Sequence, residues 1–268
     1  MKQSQLVSTA ALILTASLAP ADQSIPIRYQ DPSGRLTLSV DQDIELRMAE
    51  PMKASRSFAF DLDLAMDPEA ATWTAVIGKA RGTTHVHGAQ QRHGTRHLTD
   101  TDIPLSVGEE GSRLETADQA DPRAIPMGPI PKSGFSVTSV LADALPILSN
   151  APVKVGSTWT TERPIRSLET WTWGQGQLTS NHRVTAIDSR QGHTLVKVTT
   201  ESHAKLGPVE GEGPYNGTLE RTIHWTFDAT VGRLLSLSSD QTTEGRADLG
   251  RGETPVYQRT RVELAAGS

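Results

Sequence analysis

Apolar residues recur at every second position through most of this chain, and that period restricts it to strands with one buried face. Leu36, Leu38, Val40, Ile44, Leu46 and Met48 share even numbers, with polar residues between most of them. Phe58, Phe60, Leu62, Leu64 and Met66 repeat the pattern, while Asp61 and Asp63 take the other face. Late in the chain Leu219, Ile223, Trp225 and Phe227 lie on one side, interrupted by Arg221. Glu220, Thr222, His224, Thr226 and Asp228 lie on the other. Faces that alternate in this way belong to antiparallel sheets, and a sheet of this size must curl or stack to bury its apolar side. The expected fold is mainly β: an antiparallel curved sheet, or an incomplete barrel or sandwich. It is expected to comprise two similar halves and one short helix.

Turn residues divide the strands. Ile25, Ile27 and Tyr29 read as a strand joined to the Leu36 run by a hairpin turn at Asp31-Pro32-Ser33-Gly34. Asp67-Pro68 ends the Phe58 run, since Pro cannot continue a paired ladder. Further strands are expected at Trp73, Ala75 and Ile77, and at Ile103, Leu105 and Val107. Residues 22–116 thus form a first β meander. Residues 117–150 form a Pro-rich connection, with the only expected helix after the N-terminal segment over Ser136 to Leu145, stopped by Pro146. Residues 151–268 form a second meander, led in by Val153, Val155 and Trp159. Strands follow at Gln177 to Ile187, Thr194 to Thr200, the Leu219 run, Leu235 with Leu237, and Val256 to Leu264. The same order of strands and turns in both halves suggests a duplicated four-strand unit.

Residues 1–21, MKQSQLVSTAALILTASLAPA, read as an export signal. Lys2 supplies a positive start, and Leu6 to Leu18 is an uncharged apolar run too short to span a bilayer. Ala19-Pro20-Ala21 is a small-x-small cleavage box, with no Cys beside it for lipid attachment. The protein is therefore expected to be exported, to a periplasmic or extracellular location, and not to span a membrane. Removing 21 of the 268 residues leaves about 247, enough for one large all-β domain or two small ones. With no Cys at all, an exported chain depends on its core rather than on disulfides. A formal charge of −5 spread over a mixed surface argues against nucleic acid or anionic membrane as the main partner.

Candidate chemistry is sparse. His85 and His87 share a strand face, and His93 and His97 follow across a turn at Gly94. Neutral imidazoles suit Zn, Cu or Ni, so these four are the candidate metal ligands, and a transition metal is the one candidate cofactor. Arg81, Arg92 and Arg96 in the same segment oppose a cation. Asp61 and Asp63 form a carboxylate pair more easily read as a solvated face. Trp171 and Trp173 share a strand parity that could stack against a sugar. Asn216-Gly217-Thr218 matches a glycosylation acceptor pattern. No GxSxG elbow, HExxH helix, phosphate loop or dinucleotide fingerprint occurs, and no catalytic residue is assigned.

The stretch ALPILSNAPVKVGSTWT, with FDATVGRLLSLSSD downstream, resembles a pattern in uncharacterised exported bacterial β-rich proteins. The residues concerned are Leu145, Pro146, Val153, Val155, Gly156 and Trp159, then Asp228, Gly232, Arg233 and Leu234. That resemblance implies a domain of unknown function, with no catalytic residue to carry over. A broader similarity is to the periplasmic half-barrel carriers of lipoproteins or lipids, from which this chain departs by offering a single short helix. The expectation is a non-enzymatic module that binds an apolar ligand or an envelope component, with a lipid, a lipoprotein or another envelope component as partner. The alternatives are a metal-binding protein or metal-dependent hydrolase built on the four histidines, and a carbohydrate-binding module.

Overall fold

The structure is a computed structural model. It describes residues 24–30, 33–67, 72–86, 89–105, 107–108, 111–112, 124–126, 134–165, 174–208, 215–248 and 252–267. The expected export signal at residues 1–21 lies outside these. In the first half the strands are β1 (Gly34–Leu46), β2 (Met52–Asp67), β3 (Thr72–Val86), β4 (Ala89–Arg92) and β5 (Asp102–Leu105). Four short strands follow: β6 (Val107–Gly108), β7 (Gly111–Ser112), β8 (Ala124–Pro126) and β9 (Gly134–Ser136). The helix α1 spans Val137–Ala144, as its apolar spacing and Pro146 predict. The second half runs β10 (Thr158–Ile165), β11 (Gln175–Arg190), β12 (His193–Gly207), β13 (Tyr215–Asp228), β14 (Arg233–Asp248) and β15 (Glu253–Ala266).

The two meanders are parts of one antiparallel sheet. Its order is β10-β11-β12-β13-β14-β15-β1-β2-β3-β4, with β5 also paired to β3. The last strand therefore returns to the first, and Leu38 faces Leu264 across the seam. The sheet does not close into a barrel. Its turns follow the expected chemistry: Gln191 and Gly192 (φ 52° and 84°) make the β11–β12 hairpin, and Gly232 (φ 71°) makes the β13–β14 hairpin.

Curvature follows from one side chain. Tyr29 lies edge-on to Trp73 of β3 at 5.1 Å and to Phe227 of β13 at 5.4 Å. Those two strands are five places apart in the sheet order, about 24 Å if the sheet were flat. One phenol ring can touch both only because the sheet curls around it. The main core fills the resulting hollow. It combines inward residues such as Leu38, Phe60, Ile77, Val198 and Trp225 with Val137, Val140, Leu141 and Ala144 of α1. A second cluster lies toward the other ends of the strands, around Leu46, Leu178, Leu206, Tyr215, Leu219 and Val256.

Two expectations are corrected here. Residues 25–29 form no hairpin with β1, because both edges of β1 are already occupied, by β2 and β15. Ile25 makes only an isolated bridge to Val153, and the segment lays Ile27 and Tyr29 into the core. Met48 does not extend the apolar face of β1; it lies past the strand end and is exposed.

The Tyr29 hydroxyl donates to the Pro146 carbonyl at 3.1 Å, tying the segment to the connection that follows α1. Burial raises its pKa, which keeps the phenol protonated as a donor. Tyr29→Phe is expected to cost about 1–2 kcal/mol by stranding a buried carbonyl. Tyr29→Ala is expected to cost about 3–5 kcal/mol by emptying the hollow. Urea unfolding measures both; equal losses would mean that the ring does not hold the curl.

Candidate functional site

Of the four histidines, His85 and His93 do not share one place. His85 is exposed on the outer face, where it lines a shallow groove with Asp43, Glu45, Lys53 and Tyr257. His93 lies on the inner face, its ring 5.9 Å from Phe58 and its Nε2 2.6 Å from Thr84 Oγ1. Gly82 makes room for this arrangement, since a Cβ there would meet the Phe58 ring at 2.8 Å. The backbone of His97 belongs to the 3-10 turn Arg96–Leu98, and His87 lies outside the described residues. The geometry therefore puts His85 and His93 on opposite sides of the sheet. Among the described residues no group of three or more His, Asp or Glu converges as metal ligands do. Asp63 is exposed and paired with Arg35 at 3.2 Å, a solvated pair of the outer face. Trp171 and Trp173 lie outside the described residues.

A different feature dominates the inner face. Directly opposed residues in an antiparallel ladder point to the same side. Starting from Arg56, the register passes to Gln42 on β1, Thr260 on β15, Gln241 on β14 and Arg221 on β13. It continues to Ser202 on β12, Ser180 on β11 and Thr161 on β10. In the other direction it reaches Thr84 on β3 and Gln91 on β4. Every strand of the ladder thus contributes a polar residue to one row. Gln42, Gln241, Ser202, Ser180, Arg221 and Thr260 are buried. Polar residues of the adjoining rows widen the band: His182, Thr200 and Ser239 on one side, Gln258 and Thr243 on the other. The main core begins on the first side, with Phe58, Val40, Val262 and Ile223. The second cluster begins on the other, with Leu219 and Ala204.

The two ends of this polar band differ in how they are satisfied. Around β11 and β12 the bonds close on themselves. Ser180 and Ser202 pair at 2.8 Å. His182 holds Thr200 through Nδ1 at 2.8 Å and Thr161 through Nε2 at 2.9 Å. Trp225 Nε1 donates to Thr200 at 3.0 Å, and Trp159 stacks on the imidazole with ring centres 4.7 Å apart. Around β2 and β14 the bonds do not close. Arg56 Nε, Gln241 Nε2 and Thr243 Oγ1 are buried without a hydrogen-bond partner. Arg56 reaches Gln42 Oε1 only weakly, at 3.4 Å.

Charge is sorted between the two faces. The described carboxylates of the long strands carry the outward parity. There Asp240 pairs with Arg259, Asp188 with Lys197 at 2.8 Å, and Glu263 accepts from Ser238. The inward parity carries Arg56, Arg163 and Arg221 and, among the described strand residues, no Asp or Glu. Burial lowers the pKa of Arg56. Burial, with the charges of Arg221 and Arg163, drives His182 down to about 4, so the imidazole is neutral in its network.

That depression has a sign. The unfolded imidazole binds a proton below its ordinary value near 6.5 and the folded one only near 4, so stability falls as pH drops through that window. The span corresponds to about 3 kcal/mol. His182→Gln is expected to flatten the decline in stability between pH 6.5 and pH 4 by roughly that amount. Chemical denaturation at a series of pH values measures it; parallel curves for the two proteins would show that His182 is not the group responsible.

No family model matches the sequence, and no curated protein matches it significantly. Among solved structures the chain is similar to one described as lipid-protein interactions in lipovitellin. The TM-score is 0.44 at 12% identity, over 89% of this chain. The chain spans 26% of the length of that protein.

Proposed function

We propose that this protein is an exported, non-enzymatic binding module whose inner sheet face receives an apolar or amphiphilic ligand of the cell envelope. The second cluster carries this reading. Its described members are all strand residues, with Met52 and Ile165 half-buried at its margin, whereas the main core includes residues of α1 and the 24–30 segment. Val86, on the same inward parity of β3, is exposed. Leu46, Leu178, Leu206, Tyr215, Leu219 and Val256 are buried together, and an apolar lining of that kind is suited to the hydrocarbon part of a ligand. Transfer of that part from water supplies roughly 25 cal/mol per Å² before the costs of ordering. The reading of residues 1–21 as an export signal sets the compartment for such a ligand.

Two measurements test it. Solvent extraction of the purified protein followed by mass spectrometry is expected to release a stoichiometric lipid. Protein stripped of that lipid is expected to enhance the fluorescence of N-phenylnaphthylamine, an uncharged apolar probe, with saturation. Clean extracts together with no saturable probe binding would remove the proposal.

A further inference from the structure

We infer that the polar row is a head-group subsite, and that the ligand is an amphiphile with an anionic head. This inference rests on the binding reading above and names the chemical class of its ligand. Among the buried atoms without a hydrogen bond are three in the polar band that can donate, Arg56 Nε on β2 and Gln241 Nε2 and Thr243 Oγ1 on β14; Tyr215 Oη and Arg233 Nε, outside the band, also lack one. Gln241 and Thr243 are 2% and 1% exposed, so bulk water does not satisfy them. A buried donor left without an acceptor is costly, and native proteins seldom retain one without a ligand, ion or ordered water to complete it.

The electrostatics point the same way. Arg56 carries a charge that burial disfavours, and its only described side-chain partner is the neutral amide of Gln42. Arg221 lies directly opposite Gln241 on the next strand and adds a second cation to the row. All three unpartnered atoms donate. An oxyanion accepts from all three and offsets the Arg56 charge; a neutral hydroxylic head supplies no charge. Arg56 and Gln241 are three strand spacings apart, about 14 Å between backbones. Both side chains take the inward face, in one row with Gln42 and Thr260 between them. The row also borders the strand-built apolar cluster through Thr243 and Leu219, which are directly opposed. A ligand with its tail on that cluster would set its head on the row.

The test compares three probes on the delipidated full chain: dodecyl phosphate, dodecanol and inorganic phosphate. Calorimetry is expected to show dodecyl phosphate binding at least about tenfold more tightly than dodecanol, and inorganic phosphate far more weakly than either. Arg56→Met is expected to lower dodecyl phosphate affinity to that of dodecanol measured on the same variant. Gln241→Leu, which removes a donor without removing a charge, is expected to reduce the preference, and it serves if the Arg56 variant does not fold. Equal binding of dodecyl phosphate and dodecanol overturns the anionic head while leaving the apolar reading intact. Inorganic phosphate binding as tightly as dodecyl phosphate overturns the amphiphile in favour of a free anion. Failure to bind either long-chain probe overturns the underlying binding function.

Discussion

Everything in this molecule depends on the contact of Tyr29 with both Trp73 and Phe227. A ten-strand ladder left flat would expose its whole apolar face, and neighbouring strands cannot bury one another's side chains. Curling brings β3 and β13 toward each other, but a curled sheet without filling leaves a void. The 24–30 segment and α1 fill it at one end, and Tyr29 is anchored there through the Pro146 carbonyl. The ring therefore acts as a spacer that sets the radius of the hollow. The rest of the inner face inherits its geometry from that radius, including the distance between Arg56 and Gln241.

The polar row is an energetic anomaly unless it serves something. A strand-built hollow could be lined with Leu and Val throughout, as the rows on either side of the band nearly are. Instead a polar residue from every strand of the ladder interrupts the apolar surface. Near β11 and β12 the interruption is repaired internally by His182, Thr200, Thr161 and the serine pair. Those bonds explain why the imidazole can remain neutral and buried. At β2 and β14 no such repair exists, and the unpartnered atoms there are all donors. A row that served stability alone would close its bonds along its entire length, because an incomplete buried network is worse than an apolar one.

The strand pattern was legible because outward residues along each strand are polar and most inward ones apolar. The row was legible only as a fault in that pattern. Arg221 interrupts the Leu219 to Phe227 face, and Gln42 falls in the gap between Val40 and Ile44. Each looks like noise on one strand. The register that aligns them, β13 with β14 and β15 with β1, is a long-range property that no local window contains. The same gap explains why β12 runs on to Gly207 when its alternation reads as ending near Thr200. Ser202 faces inward there and imitates an outward residue. The misplaced hairpin at residues 25–33 has a similar origin. Alternation in Ile25, Ile27 and Tyr29 is real, but β15, more than two hundred residues away, already occupies the edge of β1 that a hairpin would need. The separation of His85 from His93 was not legible because proximity in sequence across a turn ignores which face each residue takes. His85 and Thr84 are neighbours with opposite directions, and His93 follows Thr84.

Sorting of charge between the faces gives the hollow a sign of its own. The chain as a whole is acidic, with a formal charge of −5, yet the inward parity of the described strands holds arginines and no carboxylate. In water such an imbalance would be screened within about 10 Å. Inside a curled sheet walled by apolar clusters it is screened far less, so the field of Arg56 and Arg221 is concentrated where the unpartnered donors lie. The outer carboxylates lie on the other side of the sheet, and several are held by their own partners, as Asp240 is by Arg259. An acidic exterior also repels free anions from the surface. A bare anion would have to cross that exterior and shed its hydration with no compensating apolar contact. An anion carried on a hydrocarbon tail gains the burial of the tail as its head enters. The shape of the sheet, the sorting of its charges and the placement of its open hydrogen bonds therefore favour one kind of molecule over its parts.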